Sequence, residues 1–151
     1  MNVAATRTPL GRIGLVEEGG VITRLLWNAE STGFRSDVLK EGLRQLEAFF
    51  NGELHTFDLP LAPAGTDFQQ AVWERLLAIP FGATRTYGDL ALSLAAPARP
   101  VAASCGANPI PIIIPCHRVV AADGLGGYSG HGGIESKVWL LKHEGAASLL
   151  I

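Results

Sequence analysis

The stretch from Leu59 to Gly65 divides the chain, because its prolines at positions 60 and 63 and its glycine break the periodicity on either side. Proline fixes the backbone φ angle and lacks an amide hydrogen, so no regular helix or central strand runs through this stretch. With 151 residues, the chain has room for one ordinary domain or two small ones. We therefore predict an N-terminal domain with its linker over residues 1–65 and a C-terminal domain over residues 66–151.

The pattern before the linker predicts an antiparallel hairpin followed by a helix. Residues 12–16 and 21–27 are typical of two strands, and the turn residues 17–20 join them. Ser36 or Asp37 can cap a helix that ends near Gly52. Apolar side chains recur in that helix at Leu39, Leu43, Leu46 and Phe50. The N-terminal domain is therefore expected to be a small unit with a hairpin sheet and one helix.

The pattern after the linker is mostly helical. Thr66 with Gln69, and Thr86 with Asp89, have the spacing of capping boxes at helix N termini. A further helix over about residues 99–107 follows a short proline-containing turn and consists of small residues. Two helices joined in this way are typical of a helix-turn-helix, although the spacing also fits a packed helical hairpin without a partner. The whole chain is predicted to belong to the α+β class.

Charge and hydropathy exclude several classes of protein. The formal net charge is −2 and the isoelectric point is about 6.1, whereas nucleic-acid-binding domains are usually basic. Any binding of DNA must therefore rest on individually placed residues. No uninterrupted apolar run is long enough for a membrane helix, and the first residues lack the apolar region of a secretory signal. We expect a cytoplasmic protein without a membrane segment.

The segment from Asn108 to Val120 carries the residues best suited to chemistry. Three prolines alternate with β-branched residues and lead to consecutive Cys116, His117 and Arg118. We expect a stiff strand that stops at Cys116 and fixes its thiol. His117 could take up the thiol proton, and the charge of Arg118 would favour the thiolate. The alternative is a buried, unreactive cysteine at the end of a strand.

The cysteine and histidine pattern disfavours both disulfides and metal binding. Two cysteines, Cys105 and Cys116, do not form a disulfide framework, so free thiols are expected. A zinc site would have to use Cys116, His117, His131 and His143. Adjacent Cys and His residues cannot easily reach one tetrahedral ion, and no Cys-x-x-Cys pair is present. We therefore expect no metal and no cofactor.

The motif Pro115–Val119, preceded by Asn108–Pro111, resembles the active-site signature of the O6-alkylguanine-DNA alkyltransferase family. Further motifs follow in the family's order at residues 68–69, 72–73, 79–82, 86–87, 99, 127–130 and 137–145. The resemblance is close over about residues 66–146 and loose over the N-terminal unit. It implies direct-reversal DNA repair by a methylated-DNA–protein-cysteine methyltransferase. Such a protein flips an alkylated guanine out of double-stranded DNA and moves the alkyl group irreversibly onto its own cysteine.

The resemblance implies catalytic roles for five residues. Cys116 would accept the alkyl group, His117 would act as the base through a water molecule, and Glu144 would orient His117. Tyr87 would give a proton to the guanine leaving group. Asn108 would bridge the recognition helix and the active-site strand, because its amide can cap the helix end and steady the Cys116 loop.

The resemblance also implies a pocket for the flipped base. Main-chain atoms of Cys116 and Val119 would read the guanine edge, and Pro111 and Tyr128 would form apolar walls. Ser129 would contact the O6 side of the base, although it could equally be an ordinary turn residue.

Contacts with the minor groove of DNA are implied for the helix-turn-helix. Arg99 matches the arginine finger, which enters the base stack in place of the extruded base. The implied contact residues are Thr86, Tyr87, Arg99, Pro100, Val101, Ala102 and Ala103. Four departures from the family pattern bear on DNA affinity and pocket shape. Ala102 replaces a usual glycine, and Pro100 follows the finger. The turn before Arg99 is short, and the segment from Ser129 to Lys137 is about two residues longer than is usual in the family.

The alternative function is that of a non-catalytic protein that binds alkyl lesions. Alkyltransferase-like relatives keep the fold and the finger but replace the cysteine. Because this chain retains Cys116, the resemblance favours the enzyme, and we expect it to act as a monomer.

Overall fold

The boundary between the two compact units of the chain falls inside the proline-containing stretch 59–65. The units are Met1–Ala64 and Gly65–Ile151. The computed structural model describes residues 1–146, so the last five residues of the predicted C-terminal domain lie outside the described residues. Within the described range, no helix is long and apolar enough to cross a membrane.

The N-terminal unit is a three-stranded antiparallel sheet with one helix against it. Strands β1 (Asn2–Thr8), β2 (Gly11–Glu18) and β3 (Val21–Trp27) lie in the order β1-β2-β3, and α1 spans Asp37–Phe50. Ser36 caps α1, because its Oγ accepts a hydrogen bond from the backbone N of Leu39 at 3.2 Å. The predicted hairpin and helix are confirmed. Strand β1 was not predicted, because its sequence lacks a clear alternation of large apolar residues.

Over residues 65–146, the C-terminal unit contains four α-helices and one small parallel sheet. The elements are α2 (Asp67–Leu77), β4 (Arg85–Thr86), α3 (Tyr87–Leu94), α4 (Ala98–Gly106), β5 (Val119–Val120) and α5 (Gly133–His143). Both predicted capping boxes are present, at the starts of α2 and α3. Strand β4 pairs in parallel with β5 and so places the start of α3 beside the segment that follows Cys116. The observed elements confirm the α+β class.

The predicted strand before Cys116 is wrong. Residues 109–115 form turns, with a single bridge between Pro111 and Ile114. Prolines cannot donate to a ladder of backbone hydrogen bonds, and Ile112 adopts a φ of +74°, which β-branched residues rarely do. The isoleucines of this loop are buried, so its packing holds a conformation that local preference would not select.

Candidate active site

Cys116 begins a short 3-10 turn, Cys116–Arg118, and faces a pocket of about 440 Å³. Its backbone N donates a hydrogen bond to the carbonyl O of Ile114 at 2.8 Å, and the residue is only 7% exposed. The pocket lies between the start of α3, the helix α4 and the glycine-rich loop, residues 124–130. Besides Cys116, its lining residues are Tyr87, Ala102, Cys105, Gly106, Gly127, Tyr128 and Ser129.

The residue after Cys116 is held by a buried carboxylate. His117 Nε2 lies 2.7 Å from Glu144 Oε2, and neither side chain is exposed. The same carboxylate accepts two hydrogen bonds from Arg118, at 2.8 Å from Nε and 2.9 Å from Nη2. Burial alone would raise the pKa of Glu144, but the hydrogen bonds and charges of His117 and Arg118 outweigh it and lower that pKa to about 2. Glu144 is therefore ionised at neutral pH.

His117 is suited to accept a proton through its other ring nitrogen. Burial lowers the pKa of His117 below its ordinary value, although Glu144 acts in the opposite direction. In the neutral ring, Nε2 carries the proton that is donated to the carboxylate, so Nδ1 keeps its lone pair. This Nδ1 atom is buried and has no hydrogen-bond partner within residues 1–146.

Arg118 has a different partner from the one predicted. Its guanidinium binds Glu144 on one side, and its Nη1 donates to the carbonyl O of Ile79 at 2.7 Å. The cation that lowers the pKa of Cys116 is Lys137 instead. Arg118 therefore holds the carboxylate rather than the thiol.

The thiol of Cys116 is influenced by its burial and by Asn108. Burial raises the pKa of Cys116, whereas a hydrogen bond with the Asn108 side chain and the charge of Lys137 lower it. Asn108 Nδ2 donates to the carbonyl O of Ile114 at 2.8 Å, and its Oδ1 accepts from the backbone N of Ile110 at 3.0 Å. The amide thus braces the loop before Cys116.

The predicted cap on the preceding helix takes another form. The backbone N of Asn108, not its side chain, donates to the carbonyl O of Cys105 near the end of α4, at 3.3 Å. Asn108 therefore contacts α4 through its main chain and the Cys116 loop through its amide.

Two tyrosines contribute to the pocket. Tyr87 is the first residue of α3 and is half-buried, and burial raises its pKa, so the phenol keeps its proton at neutral pH. Gly126, with a φ of +70°, passes so close that a Cβ there would lie 3.1 Å from the Tyr87 ring. The Tyr128 hydroxyl is buried and has no hydrogen-bond partner within the part of the chain that the structure describes.

The remaining predicted pocket residues are placed differently from one another. Ser129 Oγ donates to the carbonyl O of Gly106 at 3.0 Å, which ties the glycine-rich loop to the end of α4. Pro111 and Val119 are buried and are not among the residues lining the pocket described above. The carbonyl O of Val119 accepts a hydrogen bond from Lys137.

Helix α4 presents most of the predicted DNA contacts on its exposed face. Its exposed residues include Arg99, Pro100, Ala102 and Ala103. Val101 is fully buried and shares the inner face of α4 with Ser104 and Cys105, so its side chain does not belong to this exposed face. Thr86 is half-buried, and its Oγ1 accepts a hydrogen bond from the backbone N of Asp89 at 3.0 Å.

Lys137 was part of the recognised motif, but no role was predicted for it. It is fully buried on α5, and its Nζ donates to the carbonyls of Val119 at 2.7 Å and Gly127 at 2.9 Å. Its position three and four residues before Leu140 and Leu141 puts it on the apolar face of a helix. A lysine on the apolar face of a helix is unusual, and this signal in the sequence could have identified Lys137 as a functional residue.

The described residues contain no metal-binding cluster. Within residues 1–146, no group of three or more His, Cys, Asp and Glu side chains is arranged to hold a metal ion. Both cysteines in this range are free thiols.

Models of two protein domains together match nearly all of the chain. The DNA-binding domain of 6-O-methylguanine DNA methyltransferase matches residues 67–146, and the ribonuclease-like domain of the same protein matches residues 1–63.

Individual relatives agree with this match. A methylated-DNA–protein-cysteine methyltransferase of Methanosarcina barkeri is 53% identical over 108 residues, which cover 70% of this chain and 67% of the relative. One of Mycobacterium tuberculosis is 44% identical over 147 residues, covering 91% and 88%. The crystal structure of the M. tuberculosis O6-methylguanine methyltransferase superposes with a TM-score of 0.84 at 39% identity, covering 97% and 94%. A crystal structure of M. tuberculosis OGT in complex with DNA gives a TM-score of 0.83 at 42% identity, covering 94% and 92%.

Proposed function

The chain belongs to the O6-methylguanine DNA methyltransferase family, and on that premise we propose that Cys116 takes an alkyl group from O6-alkylguanine in double-stranded DNA. Members of this family repair DNA by direct reversal, in which an alkyl group is transferred to a protein cysteine. DNA is therefore the partner of this chain. The observation that supports Cys116 is its position in a pocket directly before the buried His117–Glu144 pair.

The transfer is a displacement at the alkyl carbon. The bond between Cys116 Sγ and the alkyl carbon forms as the bond between that carbon and the guanine O6 breaks. The thiol proton leaves toward His117, and the guanine takes up a proton as it departs. Since the thioether product is not hydrolysed, each chain reacts once.

His117 acts as the base, and Glu144 holds its ring in the orientation and tautomer that leave Nδ1 free to accept a proton. The neutral imidazole accepts the thiol proton at Nδ1 through a water molecule, while Nε2 remains bonded to the ionised carboxylate. Two hydrogen bonds from Arg118 fix the carboxylate, so the ring is held in one orientation. A fixed ring lowers the entropy that must be lost when the transition state forms.

Tyr87 supplies the proton that guanine needs as a leaving group. Its raised pKa keeps it a phenol, and it shares the pocket with Cys116. Asn108 assists the thiol in two ways: its side chain lowers the pKa of Cys116, and it holds the loop before Cys116 through hydrogen bonds with Ile110 and Ile114.

The exposed face of α4 and the start of α3 bind the minor groove. Arg99 enters the base stack when the damaged nucleotide leaves it, which offsets part of the few kcal/mol lost on unstacking. Pro100, Ala102 and Ala103 offer a small surface that allows close approach, and Thr86 contributes from the start of α3. The flipped base enters the pocket against Tyr128 and Ser129.

We further propose that the protein acts as a monomer in the cytoplasm. A reducing compartment keeps Cys116 a free thiol, which the reaction requires.

Transfer of a labelled alkyl group tests this proposal. Duplex DNA carrying radiolabelled O6-methylguanine should label the wild-type protein and leave Cys116→Ala unlabelled. Labelling of Cys116→Ala at the wild-type rate would overturn the assignment.

A further inference from the structure

Lys137 is a fully buried cation that has no carboxylate partner among residues 1–146. Its side chain has 0% exposure, whereas lysine is almost never fully buried unless it is paired. Within residues 1–146, no ion pair joins it to Asp or Glu. Burying an ammonium group costs free energy that must be offset by other interactions. The hydrogen bonds and neighbours of Lys137 must therefore account for its burial.

The two hydrogen bonds of Lys137 connect two parts of the site. Val119, whose carbonyl accepts the 2.7 Å bond, directly follows the turn that carries Cys116. Gly127, whose carbonyl accepts the 2.9 Å bond, lines the pocket together with Tyr128 and Ser129. Lys137 thus fastens the pocket wall to the segment that bears the thiol. An apolar side chain would remove the donor from both carbonyls.

The charge of Lys137 acts on the titratable groups around the pocket. It lowers the pKa of Cys116 and of Cys105, and it adds to the lowering of the pKa of His117. Burial lowers the pKa of Lys137 itself to about 8, with Cys116 and Cys105 acting in the opposite direction. The guanidinium of Arg118 is bound to Glu144. The cation that lowers the pKa of the Cys116 thiol is therefore Lys137.

We propose that Lys137 is a positioning residue of the transfer reaction, which holds the glycine-rich loop against the Cys116 segment and stabilises the Cys116 thiolate by its charge. The relevance to alkyl transfer rests on the proposed function. The effect on the thiol does not, because thiolate reactivity can be measured without DNA.

The test compares the reactivity of Cys116 toward iodoacetamide as a function of pH. Lys137→Met removes the charge and the donors at similar size, and Lys137→Arg keeps the charge. Peptide mass mapping assigns the carbamidomethyl group to Cys116 or Cys105. We expect Lys137→Met to raise the apparent pKa of Cys116 by at least about one unit, which lowers its rate near pH 7 about tenfold. Lys137→Arg should stay near the wild-type pKa.

A loop variant separates charge from structure. Gly126→Ala strains the glycine-rich loop at a φ of +70° without altering a charge, so it should slow transfer from DNA but leave the apparent pKa of Cys116 unchanged. If Lys137→Met does not fold, Lys137→Gln takes its place under the same criterion, because it keeps a donor and lacks the charge.

The proposal is overturned if the uncharged variant has the wild-type pKa of Cys116, or if Lys137→Arg raises it equally. If the pKa shifts as expected but wild-type protein takes no alkyl group from DNA, then the proposed substrate is wrong and the role of Lys137 at the thiol stands.

Discussion

His117 Nε2 lies 2.7 Å from Glu144 Oε2, and both side chains are completely buried. Arg118 binds the same carboxylate, so the negative charge of Glu144 is already balanced by a guanidinium. Burial is the main reason that the pKa of His117 is lowered, and the charges of Arg118 and Lys137 add to this, whereas Glu144 acts in the opposite direction. The arrangement keeps a neutral, oriented imidazole on the residue that directly follows Cys116.

Replacing Glu144 with Gln should reduce both stability and the rate of transfer. The variant keeps the size of the side chain but leaves the buried guanidinium of Arg118 without its anion. Removing one partner of a buried ion pair typically costs about 3–5 kcal/mol. Urea unfolding would measure the loss of stability, and transfer from duplex DNA under conditions where the variant is folded would measure the rate.

Glu41→Gln is the matched control for that substitution. Glu41 pairs with Arg44 on the exposed surface of α1, where ion pairs contribute little. It should leave stability and transfer nearly unchanged. Equal effects of the two substitutions would show that the buried carboxylate has no special role.

The depressed pKa of His117 makes the protein less stable in acid. Below about pH 6.5, the unfolded chain binds a proton at this histidine that the folded chain does not, so stability falls as the pH falls. Glu144 acts in the same direction at lower pH, because its stabilisation is complete above about pH 4.5 and is lost toward about pH 2. Nitrogen NMR should find the His117 ring unprotonated at pH 6.5. A midpoint of ring titration at or above 6.5 would contradict the account.

Arg99→Ala should impair repair of duplex DNA more than transfer from a free O6-alkylguanine base. Only the duplex reaction requires the vacated space in the stack to be filled, and base flipping costs a few kcal/mol. We expect a loss of about tenfold or more for the duplex and little change for the free base. Arg75→Ala, which removes an exposed arginine from α2, controls for the charge. Equal losses of activity on both substrates would contradict the proposal that Arg99 enters the base stack in place of the flipped nucleotide.

Ala102→Gly should tighten binding to duplex DNA. The methyl group of Ala102 stands on the exposed face of α4 and limits how closely the backbone can approach the groove. The same change should cost about 1 kcal/mol of helix stability. Ala71→Gly in α2 provides a reference for that cost. Binding that is unchanged or weaker in a titration at matched salt would contradict this interpretation of α4.

Local signals predicted most of the helices. A capping box places its side-chain and backbone bonds within three residues, so Thr66 with Gln69 and Thr86 with Asp89 could be recognised directly. The same holds for Ser36 at the start of α1. Strand β1 depends instead on pairing with β2, and its own residues carry little periodicity.

The fine structure of the site depends on contacts between distant residues. Arg118 follows His117 in the chain, but its partner Glu144 is 26 residues away and decides where its charge lies. The turn at Ile112 opposes the local preference of isoleucine and is held by burial. Lys137 acquires its role only when α5 packs beside the Cys116 turn and the glycine-rich loop.

Intact-mass analysis of the protein after exposure to damaged DNA shows whether Cys116 itself becomes alkylated. Wild-type protein incubated with excess duplex DNA containing O6-methylguanine should gain the mass of one methyl group per chain, and peptide mapping should place that group on Cys116 rather than Cys105. No mass gain despite binding to the lesion would indicate the non-catalytic alternative. A methyl group on Cys105, or a protein that turns over without being modified, would contradict the account.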